Sequence, residues 1–195
     1  MAMITEPMTV PEFDLSGLPE DALYEVINGK AVEKVMAGYP LAIASILHEH
    51  LAPFVRQAGL GRVIVELIFR VDDETHYRPD VAFISDARWP VKLRPPNRGV
   101  WNIIPDLVVE VVSPTDRAEK VLGKARHYFE AGVRAVWLVY PNLEVVHAFD
   151  AFDRIKVLAG ADSLDGGEVI PGFRLPLAVL FEGEMPEEHG QDPAD

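Results

Sequence analysis

The sequence predicts an α/β fold, in which a mixed β-sheet is flanked by helices and a β-hairpin lies near the N-terminus. Residues 107–112 and 133–140 are short, almost wholly apolar runs, as expected of strands that are covered on both faces. A predicted helix separates them, and the order strand, helix, strand indicates a right-handed crossover. The pair Asn28-Gly29 between two extended runs predicts a hairpin with a type I′ turn.

In the first half of the chain, apolar residues at helical spacing predict a helix over residues 41–58. Pro40 suits its first turn and Gly59 its end. Pro53 lies inside it and predicts a kink or a division, because proline lacks the backbone donor. The other elements of this half are the hairpin strands over 24–27 and 30–33, a strand over 62–71, a turn over 72–75, a strand over 81–85 and a proline-containing surface loop over 89–101.

In the second half, Asp116 is predicted to cap the helix between the two apolar strands, and Gly132 to end it. A closing hairpin over 144–149 and 154–158 and a short final segment over 169–181 follow. No composition shift marks a linker, so we expect one domain over residues 1–181.

The 195-residue chain carries a net charge of −13, and part of this charge lies in a tail. Residues 182–195 hold six acidic residues and no lysine or arginine, so we expect a disordered tail. The absence of cysteine excludes disulfides and thiolate metal sites. The sequence shows neither a secretory signal nor an apolar run of membrane-spanning length, so we expect a cytoplasmic protein with no membrane association.

Phosphate binding depends on lysine and arginine, so the acidic balance argues against a general nucleic-acid binder. The basic residues nevertheless gather in two groups beside the apolar strands. Either these groups face a nucleic acid or they are ordinary solvated surface, and the sequence leaves both interpretations open. The groups are Arg88, Lys92, Arg94 and Arg98, and then Arg117, Lys120, Lys124 and Arg126.

Two carboxylates beside apolar strands are candidate metal ligands. Glu110 lies within the run 107–112, where an unpaired charge would cost several kcal/mol, so a cation or a solvated sheet end must offset it. Asp80 opens the strand 81–85, and the two carboxylates would meet if these strands were neighbours. Mg²⁺ is commonly held by one or two carboxylates with waters and substrate phosphate. Lys124, one helix away, would orient a water molecule for attack on that phosphate. Taken singly, each of these residues also fits a structural role.

Several blocks of the sequence together resemble a known family. The runs RPDVAFIS, PDLVVEVVSPTD and AGVRAVWLVYP, with the helix that carries Lys124 and Tyr128, resemble the Uma-type (Uma two) family of restriction-endonuclease-like proteins. That family resembles the PD-(D/E)XK nuclease superfamily. The runs YEVINGKAVE and PGFRLPLAVLF are similar to its flanking blocks, so the resemblance covers residues 23–181.

The resemblance implies a restriction-endonuclease-like core and an Mg²⁺-dependent endonuclease acting on DNA, in which Mn²⁺ can substitute. Asp80 and Glu110 match the metal-binding acids. The usual lysine position, two residues after the second acid, is Val112 here, and Lys124 matches the migrated lysine of the family. Glu66 is a possible additional acid, and Glu25 either joins the site or braces the hairpin.

One departure from the family pattern supports an alternative function. Lys120 stands where the family usually has an aspartate, which favours a catalytically inactive nuclease fold that serves as a binding or assembly module. Exposed apolar strands would in addition make the protein a homo-oligomer, most simply a homodimer.

Overall fold

A computed structural model describes residues 22–34, 38–90, 92–94 and 100–183. Residues 184–195 of the predicted tail and Arg98 of the first basic group lie outside the described residues. Within the described ranges, no helix combines the length and the apolar character that crossing a membrane requires.

The elements alternate along the chain much as predicted. Their bounds are β1 Leu23–Ile27, β2 Lys30–Lys34, α1 Tyr39–Gln57, β3 Gly61–Val65, β4 Phe69–Arg70, β5 His76–Tyr77, β6 Val81–Ser85, β7 Leu107–Val111, α2 Ala118–Glu130, β8 Ala135–Tyr140, a 3-10 helix Pro141–Leu143, β9 Val145–Ala151, β10 Arg154–Ala159, β11 Ser163–Asp165, β12 Arg174–Pro176 and α3 Leu177–Leu180.

The central sheet has six strands in the order β10-β9-β8-β7-β6-β3. Strands β7 and β8 are parallel and α2 connects them, while the other neighbours in this sheet are antiparallel. A second sheet has the order β2-β1-β5-β4 and contains the predicted hairpin, and β11 pairs with β12. The structure therefore confirms a mixed α/β architecture with an N-terminal hairpin.

Two apolar clusters cover opposite faces of the central sheet. On one face, Val109 and Trp137 pack with α1 residues such as Leu47. On the other, Val108 and Leu138 pack with Ala125 and Tyr128 of α2. Successive strand residues point to opposite faces, so burial on both faces explains why β7 and β8 are nearly continuous apolar runs.

Three local predictions differ from the structure. The strand predicted over 62–71 is interrupted, because Glu66 adopts a φ of 53° and the chain then continues into the second sheet. Asp116 does not cap α2. Its Oδ2 accepts a hydrogen bond from the backbone N–H of Ser113 at 2.9 Å, and Arg117 is the N-cap residue without a side-chain cap. Helix α1 is continuous through Pro53, so the predicted division is wrong.

Candidate active site

The fold brings Asp80, Glu110 and Lys124 together at one end of the strand pair β6–β7. The antiparallel register aligns Val81 with Val109, so Asp80, one residue earlier, lies opposite Glu110. Residues directly opposite in an antiparallel pair have side chains on the same face, with Cβ atoms about 5 Å apart. Asp80, Glu110 and Lys124 line one cavity of about 200 Å³.

Helix α2 supplies the lysine to this cavity. The Nζ atom of Lys124 lies 2.6 Å from Glu25 Oε1 and 2.9 Å from Glu110 Oε1. Burial disfavours the ammonium, but the attraction of the two carboxylates outweighs this effect and raises the pKa of Lys124 above its usual value. Lys124 is therefore a protonated hydrogen-bond donor throughout the neutral pH range.

The carboxyl group of Glu110 has an unusual affinity for protons. Burial, with a contribution from the negative charge of Asp80, raises the pKa of Glu110 to about 7, although Lys124 and Lys34 oppose this change. The hydroxyl group of Tyr128, one turn after Lys124 on α2, donates a hydrogen bond to Glu110 Oε1. Tyr128 is fully buried in the core, and its hydroxyl group also belongs to this cluster.

Asp80 is held rigidly through both carboxylate oxygens. Its Oδ1 lies 2.6 Å from Lys34 Nζ, and its Oδ2 accepts the backbone N–H of Val111 at 2.5 Å. The side chain is only 3% exposed. The second bond ties the start of β6 to β7 beyond the last aligned pair and fixes the carboxylate beside Glu110.

Lys34 is a site residue that the sequence analysis did not identify. Its Nζ donates hydrogen bonds to Asp80 Oδ1, to both carboxylate oxygens of Glu66 at 3.2 Å and to the carbonyl oxygen of Arg78 at 2.7 Å. Glu66, the possible additional acid, thus reaches the cluster through this ammonium. Lys34 directly follows the block YEVINGKAVE that carried part of the family resemblance, and this position is the one sequence signal that points towards it.

Glu25 also belongs to the cluster and does more than brace the hairpin. Its Oε1 accepts the backbone N–H of Arg78 at 2.9 Å in addition to the bond from Lys124. The hairpin β1–β2 therefore contributes one carboxylate, Glu25, and one ammonium, Lys34, to the site. The other members lie at the central sheet, in α2 and, for Glu66, between β3 and β4.

The two predicted basic groups divide between structural and site positions. Arg88 pairs with buried Asp106 at 3.1 Å and donates to three backbone carbonyls, so its role is structural. The guanidinium of Arg126 packs over the Phe152 ring at 4.7 Å. Lys120 lines the same cavity as Lys124. Among the described residues of the two basic groups, these two lysines border the site.

The donor chemistry of the cavity fits a hard divalent cation. Asp80 and Glu110 offer carboxylate oxygens side by side, which is the usual protein contribution to Mg²⁺ when waters and phosphate complete the coordination. Throughout the described residues, no group of three or more His, Asp or Glu side chains is arranged to hold a metal ion alone. Asp80 and Glu110 are the residues of this cavity that could hold such an ion if waters and a substrate completed its coordination.

Comparisons with known proteins agree with this architecture. The model of the family described as "Uma2: Putative restriction endonuclease" matches residues 10–178. A solved structure titled as a "putative nuclease belonging to DUF820" from Anabaena variabilis is similar, with a TM-score of 0.74 and 22% sequence identity over 87% of this chain and 97% of that chain. At that identity the likeness establishes the fold. No curated protein matches the chain.

Proposed function

Since the chain belongs to the Uma2 family of the restriction-endonuclease type, we propose that it is a Mg²⁺-dependent endonuclease that hydrolyses DNA phosphodiester bonds. The observation that carries this proposal is the meeting of three predicted residues in one cavity. Asp80 and Glu110 lie opposite each other, and the ammonium of Lys124 lies 2.9 Å from Glu110 Oε1. This combination supplies metal ligands and a fixed positive charge at one place.

In the proposed mechanism, Asp80 and Glu110 would hold Mg²⁺ or Mn²⁺. An ion bound there would supply a lowered pKa for attached water and stabilisation of the charge of the phosphodiester transition state. Lys124 does not accept a proton, because its pKa is raised. It orients the attacking water through hydrogen bonding and offsets the developing negative charge. Tyr128 and Glu25 position Glu110 and Lys124 through the hydrogen bonds described above.

The direct test is nicking of supercoiled plasmid DNA by the purified protein with Mg²⁺ or Mn²⁺. Glu110→Gln removes a metal-binding charge with little change in shape, and we expect it to abolish nicking. Glu119→Gln is the matched control, because Glu119 is exposed in the first turn of α2, outside the residues that line the cavity. Circular dichroism checks that both variants fold. Nicking that survives in Glu110→Gln would refute the assignment.

A second candidate function is a catalytically inactive binding or assembly module. The observation that favours it is the complete pairing of the acids. Asp80 and Glu66 contact Lys34, while Glu110 and Glu25 contact Lys124. In this case calorimetry would detect no binding of Mg²⁺ or Mn²⁺ at millimolar concentrations, whereas the endonuclease proposal requires binding.

We also propose that the protein forms a homodimer through an exposed apolar strand. Strand β10 lies at the edge of the six-stranded sheet, where Ile155 and Val157 are 48% and 55% exposed. An edge strand of this kind favours pairing with another chain. Gel filtration with light scattering would give a dimer mass, and a monomer mass would contradict this proposal.

A further inference from the structure

The ammonium of Lys34 lies where it neutralises a proposed metal ligand. Its Nζ is 2.6 Å from Asp80 Oδ1 and 2.7 Å from the Arg78 carbonyl oxygen, and both oxygens of Glu66 lie at 3.2 Å. Hard oxygen donors of these two kinds, carboxylate and backbone carbonyl, are also the ones that divalent cations use. Lys34 thus satisfies Asp80 with a positive charge that belongs to the chain itself.

The element that carries Lys34 is weakly attached compared with the central sheet. Strand β2 is the outer strand of the second sheet and pairs only with β1. Lys30 to Glu33 are exposed, so β2 contributes no side chain to the buried core. Withdrawal of the Lys34 side chain would therefore cost its ionic contacts and little apolar packing.

Asp80 cannot withdraw in the same way. Its Oδ2 is bound to the backbone of Val111, and its side chain is 3% exposed. When a divalent ion approaches this fixed carboxylate, it meets an ammonium already seated on Oδ1. Like charges that share one buried ligand repel strongly, because the interior screens them poorly.

We propose that Lys34 is a tethered competitor of the divalent metal at Asp80, so that metal binds only as the ammonium leaves Oδ1. Lys34 thereby sets the metal concentration at which the site fills. This inference rests on the proposed function, because it assumes that Asp80 is a metal ligand. Beyond the proposed function, it assigns to Lys34 of the hairpin the role of tuning metal affinity without being a metal ligand.

The test is calorimetric titration of the full chain with MnCl₂ in the absence of DNA, so that the readout is binding rather than catalysis. We expect Lys34→Met to bind Mn²⁺ at least about tenfold more tightly than the wild type, since a unit positive charge beside the ligand is removed. Lys30→Met is the matched control, because Lys30 is exposed on the same strand. Its affinity should equal that of the wild type.

The outcomes separate this inference from the proposed function. Equal or weaker Mn²⁺ binding by Lys34→Met than by the wild type overturns the competition and leaves the metal site in place. No binding by either protein overturns both. If circular dichroism shows that Lys34→Met does not fold, Lys34→Gln takes its place. That variant keeps a hydrogen-bond donor for Asp80 but lacks the charge, and the same criterion applies to it.

Discussion

Replacement of Glu110 by glutamine should change how the stability of the protein depends on pH. Burial raises the pKa of this carboxyl group from 4.5 to about 7 in the folded chain. The folded state therefore holds the proton more tightly than the unfolded state does. The resulting stabilisation is fully present below pH 4.5, and it is lost as the pH rises through about 7.

The magnitude follows from the size of the pKa change. One pKa unit corresponds to about 1.4 kcal/mol, so the change at Glu110 corresponds to about 3 kcal/mol of unfolding free energy. The glutamine side chain of Glu110→Gln does not titrate, so the variant lacks this pH-dependent contribution. The unfolding free energy of the variant minus that of the wild type should thus increase by about 3 kcal/mol between pH 4.5 and pH 7.5.

Urea unfolding at a series of pH values, with EDTA present to remove metal, measures this difference. Other titrating groups contribute equally to both proteins and cancel in the subtraction, except those that contact Glu110. Glu119→Gln, at an exposed position, should give a difference that is flat over the same range. A flat curve for Glu110→Gln would show that the Lys124 ion pair balances the desolvation of Glu110, and the opposite slope would show that it outweighs it. Either result would refute the reasoning.

Two further predictions concern hydrogen bonding and backbone geometry. Tyr128→Phe removes a donor that favours the ionised form of Glu110, so carbon-13 NMR titration should show a higher Glu110 pKa, and stability should fall by about 1 kcal/mol. An unchanged pKa would contradict this. Gly61→Ala should lower the unfolding free energy by about 1–3 kcal/mol, because its Cβ would lie 2.1 Å from the Ile84 carbonyl oxygen. Gly123→Ala, where the helix surface is open, should instead raise it by up to about 1 kcal/mol, and chemical denaturation that ranks the two variants oppositely would disprove the argument.

The sequence predicted the parts of the site that depend on strand order and burial. The apolar character of β7 identified a strand covered on both faces, and one acid within it, Glu110, required a compensating charge. Asp80 opened the neighbouring strand. Their meeting followed once β6 and β7 were adjacent, which the structure shows.

The contributions of the hairpin could not be predicted in this way. Lys34 meets Asp80 across 46 residues, and Glu25 meets Lys124 across 99. Local periodicity predicts a hairpin but carries no information about which end of another sheet it packs against. The break at Glu66 was missed for a related reason. The chain uses a left-handed non-glycine residue there, so no glycine marks the end of the strand.

The hairpin brings charges of opposite sign to the cavity, Glu25 on β1 and Lys34 on β2. If β1 and β2 lifted away as a unit, the charges left behind would sum to the same total as before. Lifting would nevertheless separate Lys34 from Asp80 and Glu25 from Lys124. Salt screens the attraction within such pairs, so higher ionic strength should increase the population of the lifted form. Removal of either side chain would take away one of these attractions and with it part of the dependence on salt.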